Sequence, residues 1–165
     1  MSDKPLIIEI DADRAQRWFG ELQRRGQDLN PLMRDIQEYG IESTQRRFAE
    51  GRAPDGTPWV PLKSGSGRTP LTDTGRMRDG IHGSHGPTWA EISSDAKQAR
   101  WHQEGTAPYV ILPKSGKALA WEGGPGPRAR VNHPGLPARP FIGLSVEDAD
   151  YIDRLATAYL DLGDG

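Results

Sequence analysis

Apolar residues recur at helical spacing in the N-terminal third of the chain. In residues 12–25 they fall at i, i+3, i+4 and i+7, a pattern that predicts an amphipathic helix. A second helix is predicted from Asn30-Pro31, an N-cap followed by a first helical position, to Gly51 as its stop. Gly40 inside this second helix would let another element pack closely, at some cost in helix propensity.

A third amphipathic helix is predicted near the C-terminal end. Ser145 and Asp148 stand three residues apart just before an apolar periodic run, which is the spacing of a capping box. One face of this helix is predicted to be buried. The residues of that face are Val146, Ala149, Ile152, Leu155, Ala156 and Tyr159.

Short alternating or apolar runs predict strands. These runs are residues 6–10, 88–94, 109–112 and 118–121. The last two are predicted to form a hairpin whose loop is residues 114–117. Short helices are predicted over 95–104 and within 71–81, the latter starting near Asp73 or Thr74. The fold class is therefore α+β, with N-terminal helices and a C-terminal helix packed on a small antiparallel sheet.

Composition suits one domain with long loops, spanning residues 1–165. Hydrophobic residues make up 35% of the chain and the mean hydropathy is -0.71, so the core is lean. A lean core indicates that part of the stabilising surface lies between subunits. Glycine and proline number 20 and 14, and they concentrate in loops near 52–70 and 122–134 that we expect to be mobile in the free subunit.

Three residues are predicted to fasten these loose segments to the core. Trp59 and Phe141 each follow a proline-rich lead-in and are the main large apolar residues in their stretches, and Leu71 packs below the short helix. The tryptophans as a group are predicted to be mostly core. They are Trp18, Trp59, Trp89, Trp101 and Trp121.

The charge is unevenly distributed. The net charge is -2, which excludes a bulk basic field that would draw the whole protein to nucleic acid. Residues 100–140 carry six basic and two acidic side chains, whereas residues 145–165 carry six acidic side chains and only Arg154. Faces of opposite sign suit head-to-tail contacts in a ring, although two solvated surfaces would also fit this pattern.

The chain has no cysteine. Disulfides and thiolate metal sites are therefore excluded, and a reducing cytoplasm is the expected place of synthesis. The first residues contain only Leu6-Ile7-Ile8 as an apolar run, which predicts neither a signal peptide nor a membrane span.

The strongest enzymatic motif is Asp73-Thr74-Gly75, the tripeptide of aspartic proteases, in which two carboxylates share a proton. Such a site needs a hydrophobic strand before it, but Pro70 precedes this tripeptide. Arg76 follows, and a cation there would lower both pKa values and oppose proton sharing. The motif is better interpreted as a helix start, so no catalytic residue is predicted.

Histidines and glycines offer other candidate sites. His82 and His85 have a spacing that can hold a metal on a helix, but flanking glycines favour a solvated loop. His102, after Trp101, is predicted to have a packed structural role. The glycine-rich runs do not follow a strand and open a helix, as a dinucleotide loop requires. We therefore predict no metal, no cofactor and no small-molecule substrate.

Four basic residues are candidate contact residues. Lys114, Lys117, Arg128 and Arg130 lie in polar, glycine-rich sequence and could touch phosphate or another subunit. The pattern favours neither over the other.

Three segments in a fixed order carry a family resemblance. They are 54–62 (PDGTPWVPL), 71–77 (LTDTGRM) and 136–144 (LPARPFIGL), preceded by Arg47-Phe48 and followed by the acidic helix. Together they resemble the virion morphogenesis family of tailed bacteriophages, over residues 32–160. The resemblance implies a structural protein, not an enzyme, that completes the tail or joins it to the filled head. It also implies rings with the sixfold symmetry of the tail.

The implied partners are copies of the chain, the tail tube and connector proteins, with transient contact to DNA in the lumen and none to a membrane. The implied location is the tail or neck of the virion, after synthesis in the host cytoplasm. Three alternatives stay open: a minor component of a siphophage connector, which residues 109–119 and 139–141 also resemble; an aspartic-protease-like dimer; and a sequence-blind DNA binder.

Overall fold

The computed structural model of the chain describes residues 6–7, 20, 24, 28–63, 67–114, 116, 118–121, 124 and 126–162. The helices are α1 (Asn30–Glu50), α2 (Arg76–Asp79), α3 (Ala99–Glu104) and α4 (Val146–Leu162). The strands are β1 (Leu6–Ile7), β2 (Ile81–Gly86), β3 (Trp89–Ser94), β4 (Tyr109–Ile111) and β5 (Val131–His133). The predicted α+β class is confirmed.

Two separate antiparallel sheets are present. The first has the order β1-β3-β2, and its β2–β3 hairpin runs in register from Ile81 opposite Ser94 to Gly86 opposite Trp89. The second sheet contains only β4 and β5. Helix α1 lies across β2 and β3. A Cβ atom at Gly40 would lie 2.8 Å from the side chain of Ile92, so this glycine does let the helix approach the sheet closely.

Local signals set the ends of α1. The helix begins one residue earlier than predicted, because Leu29 occupies the N-cap and Asp28 accepts a hydrogen bond from the Asn30 amide at 3.0 Å. Pro31 lies in the first turn, where its missing N–H costs nothing. Gly51 ends the helix in the left-handed conformation, with φ at 67°, as predicted.

The core consists of two clusters along α1. One lies between the C-terminal half of α1, the loop after it and the segment before α4. Its buried members are Phe48, Ala53, Trp59, Met77, Ile81, Ala99, Phe141 and Ile142. The other cluster joins the N-terminal half of α1 to α4, through Leu29, Leu32, Met33 and Ala156.

The prediction of a solvated loop at His82 and His85 is wrong, since both residues lie in β2. The sequence of β2 lacks apolar alternation because two of its six residues are glycines. A Cβ at Gly83 would lie 2.6 Å from the carbonyl oxygen of Glu91 and 2.7 Å from the side chain of Gln37 in α1. Glycine is therefore required where α1 and β3 press on this strand.

The predicted hairpin between 109–112 and 118–121 is also wrong. Strand β4 pairs with β5, which the sequence pattern did not reveal, and Val110 lies opposite Asn132. Of residues 118–121, only Leu119 forms a bridge, and its partner is Arg128. The connection between the paired segments is thus much longer than a hairpin turn.

The short helices start later than predicted. Helix α3 begins at Ala99 and not at residue 95. Helix α2 begins at Arg76, after Gly75 with φ at 75°, and no side-chain hydrogen bond caps it. Asp73 and Thr74 therefore do not start the helix. The positive φ of Gly75 supplies the turn that the two polar residues were expected to supply.

Two predictions about burial are wrong. Val146, assigned to the buried face of α4, is 80% exposed, because it stands at the first turn beyond the core contact. Among the described tryptophans only Trp59 is buried, whereas Trp89, Trp101 and Trp121 are 42–50% exposed. Most of the predicted helix over 12–25, with Trp18, lies outside the described residues.

Candidate functional site

The three sequence segments converge on one aromatic cluster. Phe48 of α1 contacts Trp59 edge to face, with ring centroids 5.6 Å apart, and contacts Phe141 at 5.3 Å. Trp59 is 5% exposed and Phe141 is fully buried. Leu71, partly buried, packs against the same cluster and is the one described non-glycine residue with a positive φ, 66°. We call this region the junction.

The peptide groups of residues 139–143 are held by side chains from other elements. The Arg47 guanidinium donates to the carbonyl oxygens of Phe141 at 3.0 Å and of Gly143 at 2.9 Å. The Gln103 side-chain oxygen accepts from the amides of Phe141 and Ile142 at 2.9 and 3.1 Å. Its nitrogen donates to the Ile142 carbonyl at 2.8 Å. An irregular segment can be buried here because its polar backbone is satisfied in this way.

The loop after α1 is tied to the same segment. The Trp59 indole nitrogen donates to the carbonyl of Pro140 at 2.8 Å. The Arg139 guanidinium donates to the carbonyl of Val60 at 2.9 Å, and the Arg139 amide donates to the carbonyl of His102 at 2.6 Å. Arg139 is 6% exposed, and burial lowers the pKa of its guanidinium. Arg139 is thus occupied by protein carbonyls instead of an external anion.

A buried ion pair joins α1 to the start of α4. Arg47 and Asp148 form a charged contact with both side chains almost fully buried. Asp148 also accepts hydrogen bonds from Ser43 Oγ at 2.5 Å and Tyr39 Oη at 3.0 Å. The predicted capping box is confirmed, since Ser145 and Asp148 exchange hydrogen bonds at 2.8 and 3.0 Å.

This pair has unusual acid–base properties. Burial alone would raise the pKa of Asp148, but hydrogen bonds from Ser43 and Ser145 and the charge of Arg47 together hold it below its ordinary value. Burial lowers the pKa of Arg47, and Asp148 opposes that effect. Burial, followed by the hydrogen bond to Asp148, raises the pKa of Tyr39. The carboxylate is therefore charged and fully engaged, and it offers no free general base.

A shallow cavity of about 260 Å³ opens beside the junction. Asp73 lines it, exposed and paired with Arg68, with Arg139 also in the lining. Asp73 is the one carboxylate among the described lining residues. His102 also lines the cavity, and burial, then the charge of Arg139, lowers the pKa of its imidazole. No described group of three potential ligands could hold a metal ion.

A long antiparallel excursion, residues 106–134, contrasts with the junction; we call it the ribbon. It is closed at its base by Thr106 opposite Leu136, continues through the β4–β5 pairs, and is bridged further out by Leu119 and Arg128. None of its described residues is buried. Four large apolar side chains on it are 48–63% exposed: Tyr109, Val110, Leu112 and Trp121.

The ribbon carries the predicted contact residues. Lys114, Arg128 and Arg130 are exposed on it, and Lys117 lies outside the described residues. The structure places none of them in an ion pair with a described acidic residue. They are free to face a partner.

Comparison with protein-family models identifies the family of the chain. The model of the phage virion morphogenesis family matches residues 10–161. The chain belongs to the phage virion morphogenesis family. Its role is therefore structural, in the assembly of a phage virion, and its partners are other phage structural proteins. Comparison with curated proteins and with solved structures gives no match.

In this family member the junction serves as a scaffold for the backbone of residues 139–143. Arg47, Gln103 and Arg139 bind backbone groups of the chain itself. Nδ1 of His102, in contrast, is buried beside the junction without a hydrogen-bond partner in the part of the chain that the structure describes. Among the described residues, no helix is both long enough and apolar enough to cross a membrane.

Sequence reasoning about this virion protein missed two side chains that hold the junction. Arg47 was recognised as a member of the α1 face but not as a buried charge, and Asp148 was recognised only as a cap. A basic residue within an otherwise apolar helical stripe is the signal that could have found the pair. Gln103 carried no such signal, because a polar residue on a short helix is usually solvated.

Proposed function

We propose that this protein completes the tail of a phage, or joins the tail to the head, and that it works at the neck as a ring of identical subunits. The observation that carries the proposal is the contrast within this family member between the junction, which side chains from other elements hold, and the ribbon, none of whose described residues is buried. An unsupported two-stranded ribbon is marginally stable in water. A partner surface in the assembled particle would supply the missing contacts.

The junction supports the same function in a different way. Its aromatic cluster and its hydrogen bonds from Arg47 and Gln103 hold three distant segments in one place. A subunit at the neck, between the filled head and the tail, must keep its shape. Dense packing with satisfied polar groups meets that need.

Removal of the gene from the phage tests the proposal. We expect filled heads and tails that fail to join, or tails of irregular length, and a plasmid copy should restore infectious particles. Electron microscopy of wild-type virions should place the protein at the neck as a ring. Density for the protein at the tail tip, within the capsid shell, or along the whole tail would overturn the proposal. A position elsewhere in a siphophage connector would favour that alternative.

DNA contact is a separate outcome of the same work. The exposed Lys114, Arg128 and Arg130 could face the lumen, where contacts to passing DNA would be independent of sequence. Retention of duplex DNA by the purified protein, weakening steeply with salt, would support that role. Replacement of all three residues by glutamine should then abolish retention.

A further inference from the structure

The two faces of the ribbon differ in chemistry. Successive side chains of a strand point to opposite faces, and directly opposite residues share a face. Val110 lies opposite Asn132, and the last pair of the ladder is Ile111 opposite Val131. Leu112 and Arg130 are the next residues beyond that pair, so continued alternation would place them on the face of Val110 and Asn132. This face therefore combines two apolar side chains, 54% and 63% exposed, with a guanidinium. We call it the outer ribbon face.

The other face of the ribbon is already partly covered. Tyr109 stacks on His133, with ring centroids 4.7 Å apart, and Ile111 lies opposite Val131. These aromatic and aliphatic residues support one another across the strands. The outer ribbon face has no such cover, and an apolar surface rimmed by cations is typical of a protein contact.

A surface of opposite charge that also carries an exposed apolar side chain lies at the start of α4. Val146 is 80% exposed, and Glu147 and Asp150 are exposed beside it at helical spacing. Asp148 does not add to this surface, because it is turned inward to Arg47. No described basic residue forms an ion pair with Asp150. We call Val146, Glu147 and Asp150 the acidic helix face.

We propose that the outer ribbon face of one subunit docks on the acidic helix face of the next copy of the chain. The inference rests on the proposed ring and names the two surfaces that build it. Val110 and Leu112 would cover Val146, and Arg130 would approach Glu147 and Asp150. Because the two faces differ and lie on different elements, the contact is head to tail. Repetition of such a contact closes into a ring when the rotation from one copy to the next divides a full turn, as the proposed neck ring requires.

The chemistry favours a second copy over nucleic acid as the occupant. Phosphate contacts would satisfy Arg128 and Arg130 but would leave Val110 and Leu112 in water. The acidic helix face is the complement that this chain itself provides, in charge and in apolar character. DNA on the ribbon is thus an outcome of the test that would overturn the proposal.

Cysteine cross-linking in assembled particles tests the contact. The chain has no cysteine, so Leu112→Cys combined with Val146→Cys introduces the only thiols. Particles complemented with this double variant and treated with a short bifunctional maleimide should give a ladder of covalent multimers. Each single variant should stay monomeric. The matched control is Val60→Cys with Val146→Cys, because Val60 is 51% exposed but lies outside the ribbon.

Three results would overturn the proposal. They are normal particles in which the double variant stays monomeric, dimers from Leu112→Cys alone, and a ladder from the control pair alone. Dimers from the single variant would show a symmetric contact. Cross-links from Leu112→Cys to a thiol of a different phage protein would assign the ribbon to that protein. Salt-sensitive retention of duplex DNA that is lost with Arg128→Glu and Arg130→Glu would assign it to DNA.

Exchange of charges gives an independent readout where a cysteine variant fails to enter particles. Arg128→Glu with Arg130→Glu, and separately Glu147→Lys with Asp150→Lys, should each lower incorporation into particles at least about tenfold. Co-expression of the two variants should restore incorporation, because each then meets an opposite charge. The control Glu38→Lys with Glu42→Lys, on exposed positions of α1, makes the same charge change and should be neutral.

If neither charge-exchanged variant lowers incorporation into particles, the proposed docking is wrong. The neck function is not affected by that result if the protein is still found at the neck. Location of the protein elsewhere in the virion would overturn the neck function itself. The two failures are therefore distinguishable by where the protein is found and by whether charge exchange matters.

Discussion

The junction and the ribbon use similar residues for opposite purposes. At the junction, Trp59 is buried, its indole nitrogen is bonded to Pro140, and its ring meets Phe48. On the ribbon, Trp121 is half exposed, and its indole ring lies against Gly124. The same side chain stabilises the subunit in one place and is left to water in the other.

The charged residues show the same contrast. Arg47 is buried and bonded to two backbone carbonyls and to Asp148, whereas Arg128 and Arg130 on the ribbon are exposed. A buried guanidinium is retained only where every donor finds an acceptor. The difference indicates that folding depends on the junction, and it supports the proposal that the ribbon serves assembly.

Replacement of one tryptophan in each region by alanine is expected to give the largest difference in stability between the junction and the ribbon. Trp59→Ala should lower the free energy of unfolding by about 3–5 kcal/mol, since it empties a buried aromatic site. Trp121→Ala should change it by less than about 0.5 kcal/mol. Chemical denaturation of the two purified variants measures both. A Trp59→Ala variant as stable as the parent would make Trp59 a contact residue for a partner and not a core residue.

Replacement of one member of the buried ion pair should lower the free energy of unfolding nearly as much as Trp59→Ala does. Arg47→Met leaves Asp148 charged and unpaired, which should cost about 3–5 kcal/mol. Asp148→Leu should cost a similar amount, because it also removes the capping box. Since neither charge is left unpaired in the double variant, its loss should be clearly smaller than the sum. Strict additivity of the two losses would show that the pair is not coupled.

Lowering the pH should reduce the stability of the junction, because Asp148 loses its charge. The folded-state pKa of Asp148 lies below the value of 3.8 expected for the unfolded chain. Its contribution is therefore fully present above about pH 4 and is lost as the pH falls through the folded-state pKa. Asp148→Asn should be less stable than the parent at neutral pH but should lose less stability below pH 4. Unfolding curves from pH 6 to pH 2 test this, and parallel curves would contradict it.

The smallest effect is expected at Asp73. It is exposed, paired with Arg68 and not a helix cap, so Asp73→Asn should leave melting and complementation nearly unchanged. If Asp73→Asn abolishes complementation while its melting is unchanged, Asp73 has a chemical or contact role. That result would bring back the protease-like alternative and add a functional site beside the junction.

The backbone mobility of the two long loops provides a further test of the difference between the junction and the ribbon. The loops near 52–70 and 122–134 were predicted to be mobile in the free subunit, and this stays a prediction. In the first loop, Ala53 and Trp59 are buried, and the Trp59 amide donates to the carbonyl of Gly51 at 2.8 Å. Hydrogen exchange should therefore be slower around Trp59 than around Arg128, and both loops should slow in the assembled particle.

Local sequence by itself determined the helices that are long enough to carry a clear signal. Gly51 ends α1 because only a residue tolerant of positive φ can close a helix in this way. Ser145 and Asp148 start α4 because their side chains reach amides three residues away. The α+β class and the three family segments were also readable, since spacing and order along the chain need no tertiary contact.

Only the tertiary structure decided which distant groups meet. Arg47 and Asp148 are 101 residues apart, and neither shows by its sequence neighbours which distant group it will meet. The pairing of β4 with β5 and the strand at His82 depend on contacts with other elements, to which local periodicity is blind. The exposure of the ribbon has the same origin, because burial is a property of what packs on a residue and not of the residue itself.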